Sequence, residues 1–370
     1  MIPVNEPLVG ENERKYVQEC LQTGWISSEG RFIHAFEEGW AAFCGMSHGV
    51  AVSNGTVALE IAMACLDLKP GDEVILPTFT IISCAQAVTM CGLKPVLVDA
   101  DPRTWCMDVS QVEAKITTRT RAIMPVHIYG HPVDMEPLMQ LARKYNLIII
   151  EDAAEAHGAE YKGHKCGGLG DLSCFSFYAN KIITTGEGGM VLTNDPLQAE
   201  SLRDLRNLCF KKERRFYHTE LGHNYRLTNL QAAIGLGQLE RIEESVTKKR
   251  WMGAAYTERL KHIHGLQLPV EEPWAMNVYW MYGIVLEGAV GMDAVQFARR
   301  LAEQGVMTRP FFLGMHEQPV FRHMGLFLDE HYPVAEHIAR QGLYLPSGMT
   351  LTEGQLDQVC QAVERVLTGK

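Results

Sequence analysis

Apolar and polar positions along the first two-thirds of the chain switch repeatedly between two periods. Short, nearly continuous apolar runs predict strands at residues 73–76, 95–99, 121–126, 147–152, 174–177 and 190–193. Between several of them the apolar positions recur at helical spacing, as in 57–66 and 135–144. Strands apolar on both faces, alternating with helices, predict strand–helix–strand crossovers and a largely parallel sheet with helices on both sides. From about Gln231 the rhythm changes. Residues 231–263 read as one long helix, followed by a strand pattern at 280–286 and helices at 294–304 and 352–367. Thr352-Glu353-Gly354-Gln355 fits a capping box ahead of the last of these. The expected division is residues 1–235 as a large α/β domain with an N-terminal segment, and residues 236–370 as a connecting helix and a smaller α+β domain.

Composition narrows the class without naming a function. The 370 residues are 46% hydrophobic and 21% charged, a globular balance. The apolar runs are strand-sized, far short of the roughly 20 residues of a membrane span. No basic stretch followed by an apolar one opens the chain, so a cytoplasmic protein is expected. Ten cysteines are scattered through apolar stretches, with no Cys-x-x-Cys pair and no zinc-finger spacing to His, so reduced core thiols are expected and no metal site. A net charge of −10 argues against general nucleic-acid binding.

Three stretches carry chemistry. Ile148-Ile149-Ile150-Glu151-Asp152 ends a buried strand on a carboxylate, at the strand end where α/β sheets bind ligands. Asp152 there needs a cationic partner or a helix to cap. Ser176-Phe177-Tyr178-Ala179-Asn180-Lys181 carries a lysine out of a strand into the turn Gly186-Glu187-Gly188-Gly189, a setting suited to a lysine that bonds a carbonyl. Ser53-Asn54-Gly55-Thr56 precedes a helix, whose free N–H groups and dipole suit a phosphate. Taken together, a lysine, an acid and a helix N-terminus meet the needs of pyridoxal 5'-phosphate.

These motifs resemble those of the DegT-type nucleotide-sugar aminotransferases. The likeness rests on Ser53-Asn54-Gly55-Thr56, on Glu151-Asp152 with Glu155 and His157-Gly158, and on Ser176-Phe177 with Asn180-Lys181 and Thr184-Thr185-Gly186-Glu187. Asn224-Tyr225-Arg226-Leu227-Thr228-Asn229 and Thr308-Arg309-Pro310-Phe311-Phe312 extend it over nearly the whole chain. The resemblance implies the α/β fold of type I aminotransferases, with a mostly parallel, seven-stranded sheet flanked by helices and a smaller C-terminal α+β domain. It implies that Lys181 bonds the cofactor and shuttles protons, and that Asp152 pairs with the pyridinium nitrogen. Gly55, Thr56 and Ser176 would bind the phosphate, joined by Asn224 of a neighbouring subunit in a homodimer. Two positions depart from the commonest family pattern. Glu155 replaces a glutamine that bonds the cofactor's ring hydroxyl, so it is expected to share a proton with that group or be displaced. Ile81 replaces an aromatic ring, so apolar packing against the cofactor is expected. Related dehydratases carry histidine where Lys181 stands, so lysine implies transamination, with glutamate as donor and pyridoxamine 5'-phosphate as the intermediate cofactor form.

For the acceptor, Thr23-Gly24-Trp25-Ile26, Asn277-Val278-Tyr279-Trp280 and Gly314-Met315-His316-Glu317 are most similar to the branch of that family that forms GDP-perosamine from GDP-4-keto-6-deoxymannose. The likeness implies Trp25 and Ile26 near the hexose, with Arg309 and His316 in the acceptor pocket. Two readings stand for His316, which suits a surface loop as well, and for Trp280 and Tyr282, which suit core packing. Lys211, Lys212, Arg214 and Arg215, followed by Tyr217, form a basic run suited to a nucleotide diphosphate or to a solvated loop. A UDP- or dTDP-linked keto-sugar and a catalytically silent regulatory protein are the competing expectations.

Overall fold

The computed structural model describes residues 1–210, 214 and 216–369. Its strands, in chain order, are β1 (His48–Val52), β2 (Glu73–Pro77), β3 (Lys94–Val98), β4 (Thr120–Ile123), β5 (Ile148–Asp152), a short hairpin of β6 (Glu160–Tyr161) and β7 (His164–Lys165), β8 (Leu172–Ser176) and β9 (Gly189–Thr193). Seven of them form one sheet in the order β1-β9-β8-β5-β4-β2-β3. The pairs β2–β3, β2–β4, β4–β5 and β5–β8 are parallel; β9 alone runs against both its neighbours. Residues of β2, β8 and β9 are buried throughout, which is why runs such as Val74-Ile75-Leu76 and Met190-Val191-Leu192 are apolar without alternation. The carboxyl ends of β1, β5 and β8 therefore open on one edge, at Val52, Asp152 and Ser176. That common edge is the one at which open α/β sheets bind ligands.

The last third adds β10 (Leu266–Gln267), β11 (Ala275–Met276), β12 (Tyr282–Leu286), β13 (Arg309–Pro310) and β14 (Gly342–Leu345). Four of these make an antiparallel sheet, β10-β12-β14-β13, while β11 pairs with the β6 hairpin of the first part. A second apolar core gathers Tyr256, Tyr282, Ile284, Phe297 and Leu343 with the last helix, Glu353–Thr368, whose Thr352–Gln355 capping box is present as expected.

Three expectations need amendment. The long helix over 231–263 is two helices, Asn229–Leu239 and Ile242–Leu260, broken at Arg241 (φ −124°). The apolar pattern runs through the break, so periodicity could not show it. Its cause is tertiary: the Arg241 guanidinium reaches back to Glu13 at 2.6 Å, and a Cβ at Gly237 would lie 2.8 Å from the Glu13 backbone. β1 was missed and joins the sheet beside the reversed β9. The cut at residue 235 does not separate the cores cleanly. Ile2 belongs to the second core, its N–H donating to Gly305 O at 2.7 Å, whereas Val278, Trp280, Phe311 and Tyr332 pack into the first. Backbone pairing between distant segments leaves no local signature.

Candidate active site

A cleft of about 570 Å³ opens at the carboxyl ends of β5 and β8, and its walls include Gly55, Thr56, Ile81, Asp152, Glu155, Ser176 and Lys181. One end is a helix start. Asn54 caps the helix Gly55–Ala64, its side chain accepting from Val57 N at 3.0 Å. The first two N–H groups of that helix, on Gly55 and Thr56, have no intrahelical acceptor by construction, and among the described residues no protein group takes them up. The Thr56 hydroxyl lies 2.9 Å from the Ser83 hydroxyl, and Ser176 faces Gly55 so closely that a Cβ there would meet its Cβ at 2.7 Å. Glycine at 55 is thus required by contact, and hydroxyls and free N–H groups gather where an anion can be bound.

Asp152 closes the floor. It is buried, with one carboxylate oxygen accepting from Ala154 N at 3.0 Å and the other from the Cys84 thiol at 3.0 Å. Its neighbour Glu151 points to the opposite face of β5, as strand alternation requires. The Glu151 carboxylate accepts from the N–H groups of Gly167, Leu169 and Gly170 and lies 3.0 Å from His127 Nε2. His127 Nδ1 accepts from Val133 N, so the ring hydrogen is on Nε2 and donates to Glu151. This fully enclosed carboxylate ties the loop before β8 to β5 and so fixes the strand end that carries Asp152.

Lys181 emerges from the turn after β8. Its Nζ is 3.7 Å from Glu155 Oε1 and 3.8 Å from the centre of the Trp280 ring. Burial lowers the Lys181 amine below the usual lysine range, while the Glu155 and Asp152 carboxylates pull the other way. Burial likewise pushes the Glu155 carboxyl up to about 7, against the pull of Lys181 and of Tyr129 N, which donates to Oε2 at 2.8 Å. Glu155 is therefore a group able to hold a proton near neutral pH. Phe312 and Tyr344 add aromatic surface to the walls, and Thr80, Ser83, Asn180 and Glu187 add polar groups. The arrangement can seat a phosphorylated ring. The helix start would take the phosphate, Asp152 a protonated ring nitrogen, and Lys181 a carbonyl.

Cys84, Glu151, Tyr129 and Trp280 complete this site, and none was given a role in it from the sequence. Cys84 and Tyr129 carried no motif signal; Trp280 stood in a motif but lies a hundred residues from Lys181. The other expected residues fall elsewhere. Ile81 lines the cleft at the start of the helix Ile82–Met90 and is 40% exposed. Trp25 and Ile26 are exposed between the helices Glu11–Thr23 and Arg31–Cys44, and Asn224 is exposed beside Asn207; none lines this chain's cleft. Arg309 is exposed on β13 opposite Tyr344, which does line it. Arg214 and Tyr217 are exposed, the guanidinium 4.8 Å over the ring. Lys211, Lys212 and Arg215 lie outside the described residues. His316 is corrected: it is neither in the cleft lining nor on the surface. It is 2% exposed, its Nδ1 at 2.8 Å from the Thr78 hydroxyl and its Nε2 at 3.2 Å from Glu336. With both nitrogens engaged it braces the turn after β2, and a sequence cannot show that its partners lie across the fold. Tyr282 packs in the second core.

Comparison with known proteins agrees with this chemistry. The model of the DegT/DnrJ/EryC1/StrS aminotransferase family matches residues 7–364. A protein named GDP-perosamine synthase in Caulobacter vibrioides is 45% identical over 367 residues, covering 99% of this chain and 98% of its own. Another of that name in Escherichia coli O157:H7 is 40% identical over 369 residues, covering 100% and 99%. Among solved structures, an aminotransferase of Streptoalloteichus hindustanus superposes with a TM-score of 0.93 at 31% identity, covering 100% of this chain and 99% of its own.

Proposed function

Because this chain belongs to the DegT/DnrJ/EryC1/StrS aminotransferase family, whose members use pyridoxal 5'-phosphate, we propose that it transfers an amino group from glutamate to GDP-4-keto-6-deoxymannose, forming GDP-perosamine. The observation that carries the choice of acceptor is the near-complete coverage at 45% identity by a GDP-perosamine synthase. The cofactor supplies a carbonyl for amine exchange and a ring that accepts an electron pair. The residues present fit it: an anion site with unclaimed N–H groups, a buried acid and a lysine line one cleft.

The chain's own part follows from its residues. The N–H groups of Gly55 and Thr56, with the Thr56 and Ser176 hydroxyls, hold the phosphate. Asp152 holds the proton on the ring nitrogen, its geometry kept by Cys84 and Ala154 N. Lys181 would bond the carbonyl that the cofactor supplies, and as a free amine it would move the proton that amine transfer displaces, a task worth roughly 10²–10⁴-fold in rate. Glu155, carrying a proton near neutral pH, donates a hydrogen bond where glutamine does so in relatives. Trp280, Phe312 and Tyr344 exclude water. Trp25, Ile26 and Arg309 contact the hexose, and the basic run with Tyr217 holds the nucleotide diphosphate.

We further propose a homodimer in which Asn224 of each chain completes the other's phosphate site; its exposure in the single chain leaves it free to do so. A cytoplasmic location suits the ten unpaired thiols, and no helix among the described residues is long and apolar enough to cross a membrane. The test is reduction with borohydride in the presence of the cofactor, followed by peptide mapping, then amine transfer assayed with GDP-, UDP- and dTDP-linked keto-sugars. Label at residue 181 and preference for the GDP sugar are expected. Lys181→Ala should take no label and keep the fold; an active Lys181→Ala enzyme would refute the assignment.

A further inference from the structure

Trp280 reaches Lys181 from a part of the chain that otherwise builds the second sheet. Two turns interlock to bring it there. In one, Tyr279 adopts a left-handed backbone (φ 48°), its N–H donating to Asn277 Oδ1 at 2.8 Å. In the other, Tyr129 (φ 52°) and Gly130 (φ 99°) turn back from β4, and Val278 N donates to Gly130 O at 3.1 Å. Contact is so close that a Cβ on Gly130 would lie 2.9 Å from Trp280 N. A non-glycine residue at positive φ is strained, and two such residues persist only where surrounding contacts hold them. What they achieve is specific. The Tyr129 N–H holds Glu155, and the Tyr279 turn delivers the Trp280 ring, so the two groups that flank Lys181 Nζ are set by one locked pair of turns.

The ring is also pinned at its far edge. Trp280 Nε1 donates to Asn180 O at 2.8 Å, the carbonyl immediately before Lys181, which Asn5 Nδ2 also contacts at 3.1 Å. Trp280 is 3% exposed, so its face is dry and its indole hydrogen bond is not contested by water. A cation 3.8 Å above a buried indole face is in the geometry of a strong cation–π contact.

We propose that Trp280 is the positioning residue of Lys181, its ring face holding the side chain in place and favouring its ammonium form when it is not bonded to the cofactor. The inference rests on the reading of Lys181 as the reacting lysine, and adds what keeps the released side chain in place and offsets part of the effect of burial on its charge. Other titratable groups near the amine are few. Glu155 and Asp152 favour the ammonium. Cys84, Tyr129 and Tyr344 are pushed up by burial, Tyr344 to about 12, and His157 is pushed down by burial to about 3. These four are therefore neutral through the range in which the lysine titrates, which leaves burial, acting to lower it, and the two carboxylates and the ring, acting to raise it, to set its charge.

The experiment measures the Lys181 amine directly in cofactor-free protein, by competitive acetylation with acetic anhydride across a pH series and quantitation of the residue-181 peptide. Because a cation–π contact favours the charged form, Trp280→Leu should lower the midpoint by about 0.5–1.5 pH units, and Trp280→Phe, which keeps a weaker face, by less. Chain grown with fluorinated tryptophan keeps the ring shape while draining its face of electrons. Its midpoint should fall with each added fluorine, which serves even if Trp280→Leu does not fold. An unmoved midpoint in the fluorinated chain, or equal shifts in the Leu and Phe variants, would overturn the proposal. Borohydride fixation of the cofactor at residue 181, run in parallel, separates this failure from failure of the lysine assignment itself.

Discussion

Replacing Glu151 by glutamine is a near-isosteric change at a residue that touches no substrate, yet its predicted cost is large. Four donors converge on the carboxylate: N–H of Leu169 and Gly170 on one oxygen, N–H of Gly167 and Nε2–H of His127 on the other. His127 cannot escape by changing tautomer, because its Nδ1 is already the acceptor of Val133 N. A glutamine offers one oxygen, so however the amide is turned, two donors face an NH₂ group. A buried unpaired donor costs about 1–3 kcal/mol, so two cost about 2–6 kcal/mol. Unfolding entropy of about 2.1 cal/mol/K per residue over 370 residues is about 0.8 kcal/mol/K. The melting temperature of Glu151→Gln should then fall by about 3–8 °C relative to wild type, measured by calorimetry on cofactor-free protein at neutral pH. Cofactor affinity should fall too, since Asp152 is the next residue on the same strand. A variant that melts with wild type would show that the donors find other acceptors and that this carboxylate does not hold the strand end in place.

Three further outcomes follow from burial and contact. Burial pushes the Glu155 carboxyl up to about 7 from its ordinary value of 4.5, so the folded state favours the protonated form. That advantage is complete below pH ~4.5 and is lost as pH rises through about 7. Wild type should lose up to about 3 kcal/mol against Glu155→Gln across that window, read as diverging melting temperatures of the cofactor-free proteins; parallel curves would contradict it. Lys249 is buried on the helix Ile242–Leu260 with Nζ donating to Ser347 O, and burial pushes its amine down to about 7. The folded state therefore carries a cost that is complete below pH 7 and vanishes as pH approaches about 10. Lys249→Met should remove about 4–5 kcal/mol of that cost at pH 6, less about 1–3 kcal/mol for the orphaned carbonyl, with the gain closing as pH rises; a gain independent of pH would point to packing alone. Gly55→Ala forces a Cβ to within 2.7 Å of the Ser176 Cβ. At about 1–3 kcal/mol for such crowding, cofactor Kd measured by equilibrium dialysis should rise about tenfold or more, and an unchanged Kd would remove Gly55 from the phosphate site.

The sequence by itself determined the groups that gather at the cleft and most of the sheet that presents them. Lys181, Asp152 and the Asn54-Gly55-Thr56 helix start each lie in a short segment whose local pattern, an apolar strand ending in a polar residue or a cap before a helix, dictates where the side chain points. Local patterns of that kind are read within a few residues, and the parallel strands followed from the same rule. Only the tertiary structure decided what surrounds those groups. Trp280 reaches Lys181, Cys84 reaches Asp152, and Arg241 reaches Glu13 to break a helix whose apolar stripe is unbroken. His316 leaves the expected pocket because Thr78 and Glu336 claim both its nitrogens. Each of these contacts pairs residues from distant segments, and their energy depends on burial and angle, quantities that exist only after the chain has closed on itself.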